Sequence, residues 1–312
     1  VSVTIADVEA AHDRIRSYVH ETPLLSSQLL DLESGAKLLF KAEHLQKVGA
    51  FKARGATNAV FSLSDSEARR GVATHSSGNH GAALARAAQL RGIPAHIVVP
   101  KNAKLAKVNA ISSYGGQVIR CESTLAARDD LLEQVVNETG ATIIHPYDDA
   151  RVIAGQGTTA LEILAQTERL DAVVIPVGGG GLLAGSSLVF KARSKVKVYG
   201  AEPASADDAY RSFKSGVRVM SHVPNTIADG LQTTLGERNF AIIHECVDDI
   251  LLVSEDEIVA AMKLIWSRLK QVVEPSSAVT LATVLKYPQL FQNKTVCLVL
   301  TGGNLDLDDL PF

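Results

Sequence analysis

Short apolar runs alternate with helical runs along most of this chain, and that alternation restricts its fold more than any other feature. Residues 38–40, 95–99, 117–120, 141–144, 171–177, 196–201 and 295–300 read as strands, the second closed by Pro100. Residues 71–74 lead into a loop and then a helix over 81–89. Further helices are predicted over 104–114, 124–138, 182–191 and 255–270, the first two stopped by Gly115-Gly116 and Gly140. In the last of them Ile258, Met262, Ile265 and Leu269 recur at helical spacing. Strands separated by helices run parallel and are covered on both faces, so the expected class is α/β. The 312 residues suit two domains better than one. The pattern sets a compact α/β unit over 72–148 into a larger one made of 1–71 and 149–312.

Bulk properties exclude several function classes. Charged residues make up 21% of the chain and the formal net charge is −3. No basic run is present to hold nucleic acid or an anionic membrane surface. No stretch approaches the ~18 apolar residues of a transmembrane helix. Val1-Ser2-Val3-Thr4 lacks the basic and apolar regions of a signal peptide. Cys121, Cys246 and Cys297 are odd in number, far apart and form no C-x-x-C pair. They read as small buried residues in a reducing, cytoplasmic compartment, not as a zinc site or a disulfide framework.

Chemistry concentrates where strands end. Gly178-Gly179-Gly180-Gly181 follows the strand at 171–177 and opens a helix. Glycines let a ligand approach the backbone, and the free N–H groups and dipole of a helix N-terminus suit a phosphate. The plainer alternative is a tight turn. The spacing is neither G-x-G-x-x-G nor the Walker pattern, which argues against dinucleotides and nucleoside triphosphates. Lys52, in Gly49-Ala50-Phe51-Lys52-Ala53-Arg54, stands at the start of a helical run. Alone it reads as a surface lysine. The helix dipole would lower its pKa there, and a neutral amine can condense with an aldehyde cofactor.

His75-Ser76-Ser77-Gly78-Asn79-His80-Gly81 supplies hydroxyls and an amide at another helix start, fit for a carboxylate or for plain capping. Glu202-Pro203-Ala204-Ser205-Ala206-Asp207-Asp208 offers oxygen ligands for a hard cation. On its residues alone it reads as a solvated acidic turn. Thr301, in Leu300-Thr301-Gly302-Gly303-Asn304, carries a hydroxyl at a strand end that can hold a ring nitrogen. Glu274, in Glu274-Pro275-Ser276-Ser277, is a sixth candidate.

Together and in this order, these segments resemble the fold-type II pyridoxal-phosphate enzymes, and among them the serine racemases and serine/threonine dehydratases. The resemblance runs from about Ile5 to Leu307, and its anchors include Ala154-Gly155-Gln156-Gly157-Thr158 and Ala228-Asp229-Gly230. It implies a two-domain, tryptophan-synthase-β-like fold in which 1–71 and 149–312 bind the cofactor and 72–148 form a small mobile substrate-binding domain. Lys52 then corresponds to the lysine that carries pyridoxal 5′-phosphate as a Schiff base, with Phe51 beside the cofactor. Gly178, Gly179, Gly180 and Gly181 correspond to the phosphate cradle, Asn79 to the partner of the ring hydroxyl, and Glu274 to the cofactor-binding set. Thr301 stands where the family has a Ser or Cys facing the pyridine nitrogen. Ser76, Ser77, Asn79, His80 and Thr233 match substrate-binding positions. Glu202, Ala206 and Asp208 match the divalent-cation site of serine racemases, for Mg²⁺, Ca²⁺ or Mn²⁺, which reverses the reading of that loop as a mere turn. Family members are usually homodimers.

The resemblance implies interconversion of L- and D-serine together with dehydration of serine to pyruvate and ammonia. The alternative is a dehydratase only, acting on L-serine, L-threonine or threo-3-hydroxyaspartate. Racemisation needs a proton donor or acceptor on each face of the planar carbanion. Lys52 takes one face by this resemblance and Ser77 the other, unless Ser77 only binds carboxylate. Arg128 is either a ligand for the second carboxylate of an aspartate-like substrate or a solvated helix charge. A binding protein that keeps the phosphate site without chemistry is a third reading, opposed by the intact Lys52 and Ser77. Tyr147 stands where animal serine racemases carry Asn. Ala82 stands where their nucleotide contact has Gln, so ATP activation is not expected. No regulatory domain after Phe312 is expected to supply amino-acid feedback.

Overall fold

The computed structural model describes residues 3–76, 78–103 and 105–312. Its strands, in chain order, are β1 (Leu24–Leu25), β2 (Lys37–Lys41), β3 (Val72–His75), β4 (Ala95–Pro100), β5 (Gln117–Cys121), β6 (Thr142–Ile143), β7 (Ala172–Pro176), β8 (Lys197–Pro203), β9 (Asp249–Val253) and β10 (Thr295–Val299). They form a six-stranded sheet in the order β1-β2-β10-β7-β8-β9 and a four-stranded sheet in the order β5-β4-β3-β6. Every pairing is parallel except β1 with β2. The class is the α/β class that the alternation predicts. All strands of the smaller sheet fall within 72–148.

The two-residue period of a strand divides the larger core. Val174 and Leu298 join one apolar cluster, while Val173, Ile175, Cys297 and Val299 join the other on the opposite face. Both faces are buried, so these strands read as continuous apolar runs. The core of the smaller sheet reaches back across residue 72, because Ala56, Ala59, Val60, Leu63 and Ala68 pack with Val72, Ile97 and Val99. The helix expected over 255–270 is α-helical over Glu255–Leu264, continues as a π-helical turn over Ile265–Leu269, and ends at Lys270 with φ 61°. The helix expected over 104–114 spans Leu105–Ser113, with Lys104 outside the described residues. All three cysteines are free and buried. Among the described residues no helix is long and apolar enough to cross a membrane.

Three helices lock together through glycines. A Cβ on Gly155, in the helix Ala150–Gln166, would lie 2.7 Å from the Cα of Gly55 in the helix Lys52–Phe61. A Cβ on Gly157 would lie 2.6 Å from the carbonyl oxygen of Gly185, in the helix Gly181–Arg193. Backbones this close tolerate no side chain between them. The segment 154–158 therefore ties the helix of Lys52 to the helix that leaves the tetraglycine.

A buried charge network fixes the same helix from another side. Arg54 Nε and Nη2 donate to Glu43 at 2.8 Å each, and Nη1 and Nη2 donate to Glu162 at 2.6 and 2.7 Å. Lys41 Nζ donates to Glu162 Oε2 and to the Thr22 carbonyl oxygen, both at 2.6 Å. Lys41, Glu43 and Arg54 have 0% exposure and Glu162 has 6%. Burial alone would lower the pKa of Arg54, but the charges of Glu43 and Glu162 reverse this and raise it. Burial likewise pushes Glu162 up, and Arg54 and Lys41 bring it below its ordinary value. Removing one partner from such a network strands the others. Glu162→Ala is expected to lower the unfolding free energy by about 3–5 kcal/mol, read as a fall in the urea midpoint at constant m-value. A change under about 1 kcal/mol would mean that the network behaves like a surface ion pair.

Candidate active site

The tetraglycine turn has no room for side chains. A Cβ would lie 2.9 Å from the Leu231 Cα at Gly178, 2.2 Å from the Tyr147 ring at Gly179, and 2.6 Å from Leu235 Cδ1 at Gly180. Gly180 also has φ +90°, which side-chain-bearing residues rarely adopt. The carbonyl oxygen of Gly179 accepts from Asn239 Nδ2 at 2.6 Å and from Gly236 N at 3.1 Å. Among the described residues, the N–H groups of Gly178, Gly179, Gly180 and Gly181 donate to no protein acceptor, although all four residues are buried. Unsatisfied buried donors at the start of a helix match an anion.

Lys52 is the first residue of its helix. Its Nζ donates to the Pro146 carbonyl oxygen at 2.8 Å and lies 5.0 Å from the centre of the Phe51 ring. Its pKa is lowered to about 8. Burial is the cause, opposed by the charge of Glu274, so desolvation and not the helix dipole accounts for the lowering that the sequence position suggested.

The end of β10 is stitched to this segment. Phe51 N donates to the Thr301 carbonyl oxygen at 3.0 Å, and Ala50 bridges Gly302. Thr301 Oγ1 lies 3.2 Å from Ser277 Oγ, which also accepts from Gly302 N at 2.9 Å. Glu274, just before the helix Pro275–Lys286, is buried, and its carboxyl leaves no room for a side chain on Gly302. Burial first, then the charge of Asp229, push its pKa up to about 7, against the pull of Asn79 and Lys107. Asn79 Nδ2 donates to both Glu274 oxygens at 3.1 and 3.3 Å, and Asn79 Oδ1 accepts from Asn304 Nδ2 at 3.0 Å. With the Lys107–Asp229 ion pair, these bonds join the helices of the smaller sheet to the larger unit.

The serine loop is partly spent on capping. Ser76 Oγ accepts from Gly81 N at 3.2 Å. Ser77 lies outside the described residues. His80 is buried with Nε2 3.2 Å from the Ile144 carbonyl oxygen, and burial, followed by the charge of Lys52, pushes its pKa down to about 3. His145 is pushed down to about 4 by burial and then by His75. Its Nδ1 accepts from Asp148 N at 2.9 Å, which places the proton of the neutral ring on Nε2. The ring of Tyr147 lies against Gly179, Asn239 Nδ2 holds the Tyr147 carbonyl oxygen at 3.0 Å, and Thr233 Oγ1 would lie 3.3 Å from a Cβ on Gly178. Thr233 thus stands beside the cradle. Asn239, His145 and Ser277 carry no local sequence signal for a site.

Glu202, in β8, accepts from Ala209 N at 3.0 Å and Tyr210 N at 2.8 Å. Asp208 Oδ2 accepts from Leu235 N at 2.8 Å, while Oδ1 is buried without a hydrogen-bond partner among the described residues. Burial and the charge of Asp208 raise Glu202 well above the ordinary carboxylate range. Ala206 is buried in the turn between them. Among the described residues no three Asp, Glu, His or Cys side chains already close around a metal position. The orphaned Asp208 oxygen nonetheless fits a cation.

Residues 15–302 match the family of pyridoxal-phosphate dependent enzymes. The chain is 49% identical to the beta-hydroxyaspartate dehydratase of Paracoccus denitrificans (strain Pd 1222), over 99% of this chain and 98% of that protein. A crystal structure of serine racemase from Dictyostelium discoideum superposes with a TM-score of 0.94 at 48% identity, covering 98% of this chain and 100% of that one. The structure of maize serine racemase superposes with a TM-score of 0.97 at 42% identity, covering 99% and 95%. The site fits the cofactor of that family: the free N–H groups of the cradle suit its phosphate, and the half-buried amine of Lys52, with its lowered pKa, suits its aldehyde.

The raised pKa of Glu274 has a signed consequence. Its ionised form is penalised in the folded protein, so the penalty is absent below pH 4.5 and complete above about pH 7. Glu274→Gln is expected to gain stability over the parent protein as pH rises through this window, by at most ~3 kcal/mol. Urea unfolding at both ends of the window checks this, and a pH-independent difference contradicts it.

Proposed function

The chain belongs to the pyridoxal-phosphate dependent enzyme family, and from that premise we propose that it interconverts L- and D-serine and dehydrates serine to pyruvate and ammonia. The observation that carries this reading is Lys52, a half-buried amine held on the Pro146 carbonyl oxygen, whose pKa of about 8 suits a group that must both take and return a proton near neutral pH. Gly178, Gly179, Gly180 and Gly181 would hold the cofactor phosphate, Phe51 would flank the ring, and Asn79, Glu274 and Thr301 would meet its polar atoms. Pyridoxal 5′-phosphate, when bound, withdraws electrons from the α-carbon of the substrate and so acidifies its proton.

Lys52 Nζ takes the α-proton and returns it on the same face. Ser77 is assigned the opposite face, where proton delivery inverts the configuration. Departure of the β-hydroxyl as water leads instead, after hydrolysis, to a 2-oxo acid and ammonia, with no change in overall oxidation state. Ser76, Ser77, Asn79, His80 and Thr233 receive the substrate carboxylate. His80 does so as a neutral group, because its ring is held far below its ordinary pKa. Glu202, the Ala206 carbonyl and Asp208 hold Mg²⁺, Ca²⁺ or Mn²⁺, a reading supported by the orphaned Asp208 oxygen. Residues 72–148 move as the substrate-binding domain against the rest. The free buried cysteines support a cytoplasmic location, and a homodimer is assigned on the resemblance alone.

One observation favours a second substrate. Arg128 Nε is buried with no hydrogen-bond partner among the described residues, and its charge reaches His75. An unpaired guanidinium suits the second carboxylate of threo-3-hydroxyaspartate, and the Paracoccus relative carries that dehydratase name.

Incubation with L-serine, D-serine and the threo isomers of 3-hydroxyaspartate, with chiral analysis and keto-acid release, tests these assignments. Lys52→Ala is expected to lose at least ~10³-fold in every reaction together with the borohydride-sensitive yellow colour; full turnover refutes the scheme. Ser77→Ala is expected to lose racemisation and keep elimination, whereas equal loss of both reduces Ser77 to a binding group. Arg128→Ala is expected to reduce 3-hydroxyaspartate elimination relative to serine by ~10–100-fold. An unchanged ratio removes the second substrate.

A further inference from the structure

The loop between the helix Asp208–Ser215 and the turn Asp229–Leu231 folds back onto the Glu202–Asp208 segment. Val219 N donates to Ser212 Oγ at 2.9 Å, Asn225 N to the Ser205 carbonyl oxygen at 3.0 Å, and Arg218 Nη1 to the Leu235 carbonyl oxygen at 3.0 Å. Held this way, the loop delivers His222 to Asp208. His222 Nε2 lies 3.4 Å from Asp208 Oδ1, with the two side chains 7% and 0% exposed.

Among the described residues, neither ring nitrogen of His222 has a hydrogen-bond partner, and neither has Asp208 Oδ1. His222 Nδ1 has no polar partner, and Nε2 and Asp208 Oδ1 have only each other, at ion-pair distance without a hydrogen bond, which is costly for buried polar atoms. The imidazole and the carboxylate are adjacent without being aligned as donor and acceptor. That is the relation of two ligands of one cation, which at ~2.1 Å from the ion stand roughly 3 Å apart. A shared cation satisfies both atoms at once.

We propose that His222 Nε2 is a ligand of the cation held by Asp208, and that it turns the site towards borderline ions such as Co²⁺ and away from Mg²⁺. This rests on the cation-site reading above. Carboxylate, carbonyl and water oxygens alone suit hard ions such as Mg²⁺ and Ca²⁺, whereas an imidazole nitrogen adds affinity that rises along the first transition row. No third Asp, Glu, His or Cys side chain is yet in place among the described residues. The Ala206 carbonyl, Glu202 and water complete the shell when the ion enters.

The test uses the holoenzyme stripped of divalent ions with a chelator and titrated calorimetrically with Co²⁺ or Mg²⁺ alone. The parent protein is expected to bind Co²⁺ at least about tenfold more tightly than Mg²⁺. His222→Gln is expected to lose about tenfold in Co²⁺ affinity while Mg²⁺ affinity moves less than about threefold. Electron spin-echo modulation from a directly bound imidazole nitrogen on Mn²⁺ is expected in the parent protein and absent from His222→Gln. This reading does not depend on how well the variant binds. An unchanged Co²⁺ to Mg²⁺ ratio with no nitrogen modulation in the parent protein overturns the role of His222 alone. Failure of the parent protein to bind either ion overturns the cation site itself and the inference with it.

Discussion

Arg54 lies two residues after Lys52 on one helix, so the two side chains leave it on nearly opposite sides. Four short hydrogen bonds from its guanidinium to Glu43 and Glu162 fix how that helix is turned about its axis. The direction in which Lys52 leaves the helix follows from that rotation. Charges this deeply buried contribute little net stability once desolvation is counted. What they provide is one geometry, because a guanidinium bidentate to two carboxylates admits few alternatives. The glycine contacts at 55 and 155 then set how close the helix sits to its neighbour, and those at 157 and 185 pass that spacing to the helix that leaves the cradle.

The electrostatics of the site follow from burial more than from pairing. Lys52 is brought down to about 8 and Glu274 up to about 7, while His80 and His145 are held neutral. Each shift favours the uncharged form. The groups that face the cradle are main-chain N–H dipoles in a turn that no side chain can enter, so an anionic ligand meets oriented donors that need not reorganise.

The strands β7 and β10 were legible because burial on both faces makes them continuous apolar runs. β9 was not, because it follows the helix Glu237–Cys246 after only two residues and no glycine or proline separates their apolar side chains. The helix Pro275–Lys286 is buried over most of its surface, so it shows no apolar stripe to read. Within the site, Lys52, the tetraglycine and Thr301 sit in segments with their own local signature. Glu43, Glu162, Asn239 and Ser277 do not, since each matters only through a partner between 11 and 108 residues away in the chain. The glycines at 155 and 157 are plain in the sequence, but their use depends on two other helices.

Asp208 and Gly179 are joined by two consecutive residues. Leu235 N donates to Asp208 Oδ2, and Gly236 N donates to the Gly179 carbonyl oxygen. An ion held by Asp208 as proposed would therefore pull on the stretch of chain that steadies the cradle from behind. A phosphate that settles on the cradle pulls the same short tether the other way. Linkage of this kind is reciprocal: whatever factor the cation adds to cofactor affinity, the cofactor adds to cation affinity. On the cation-site proposal, the two sites would be coupled through a single peptide link.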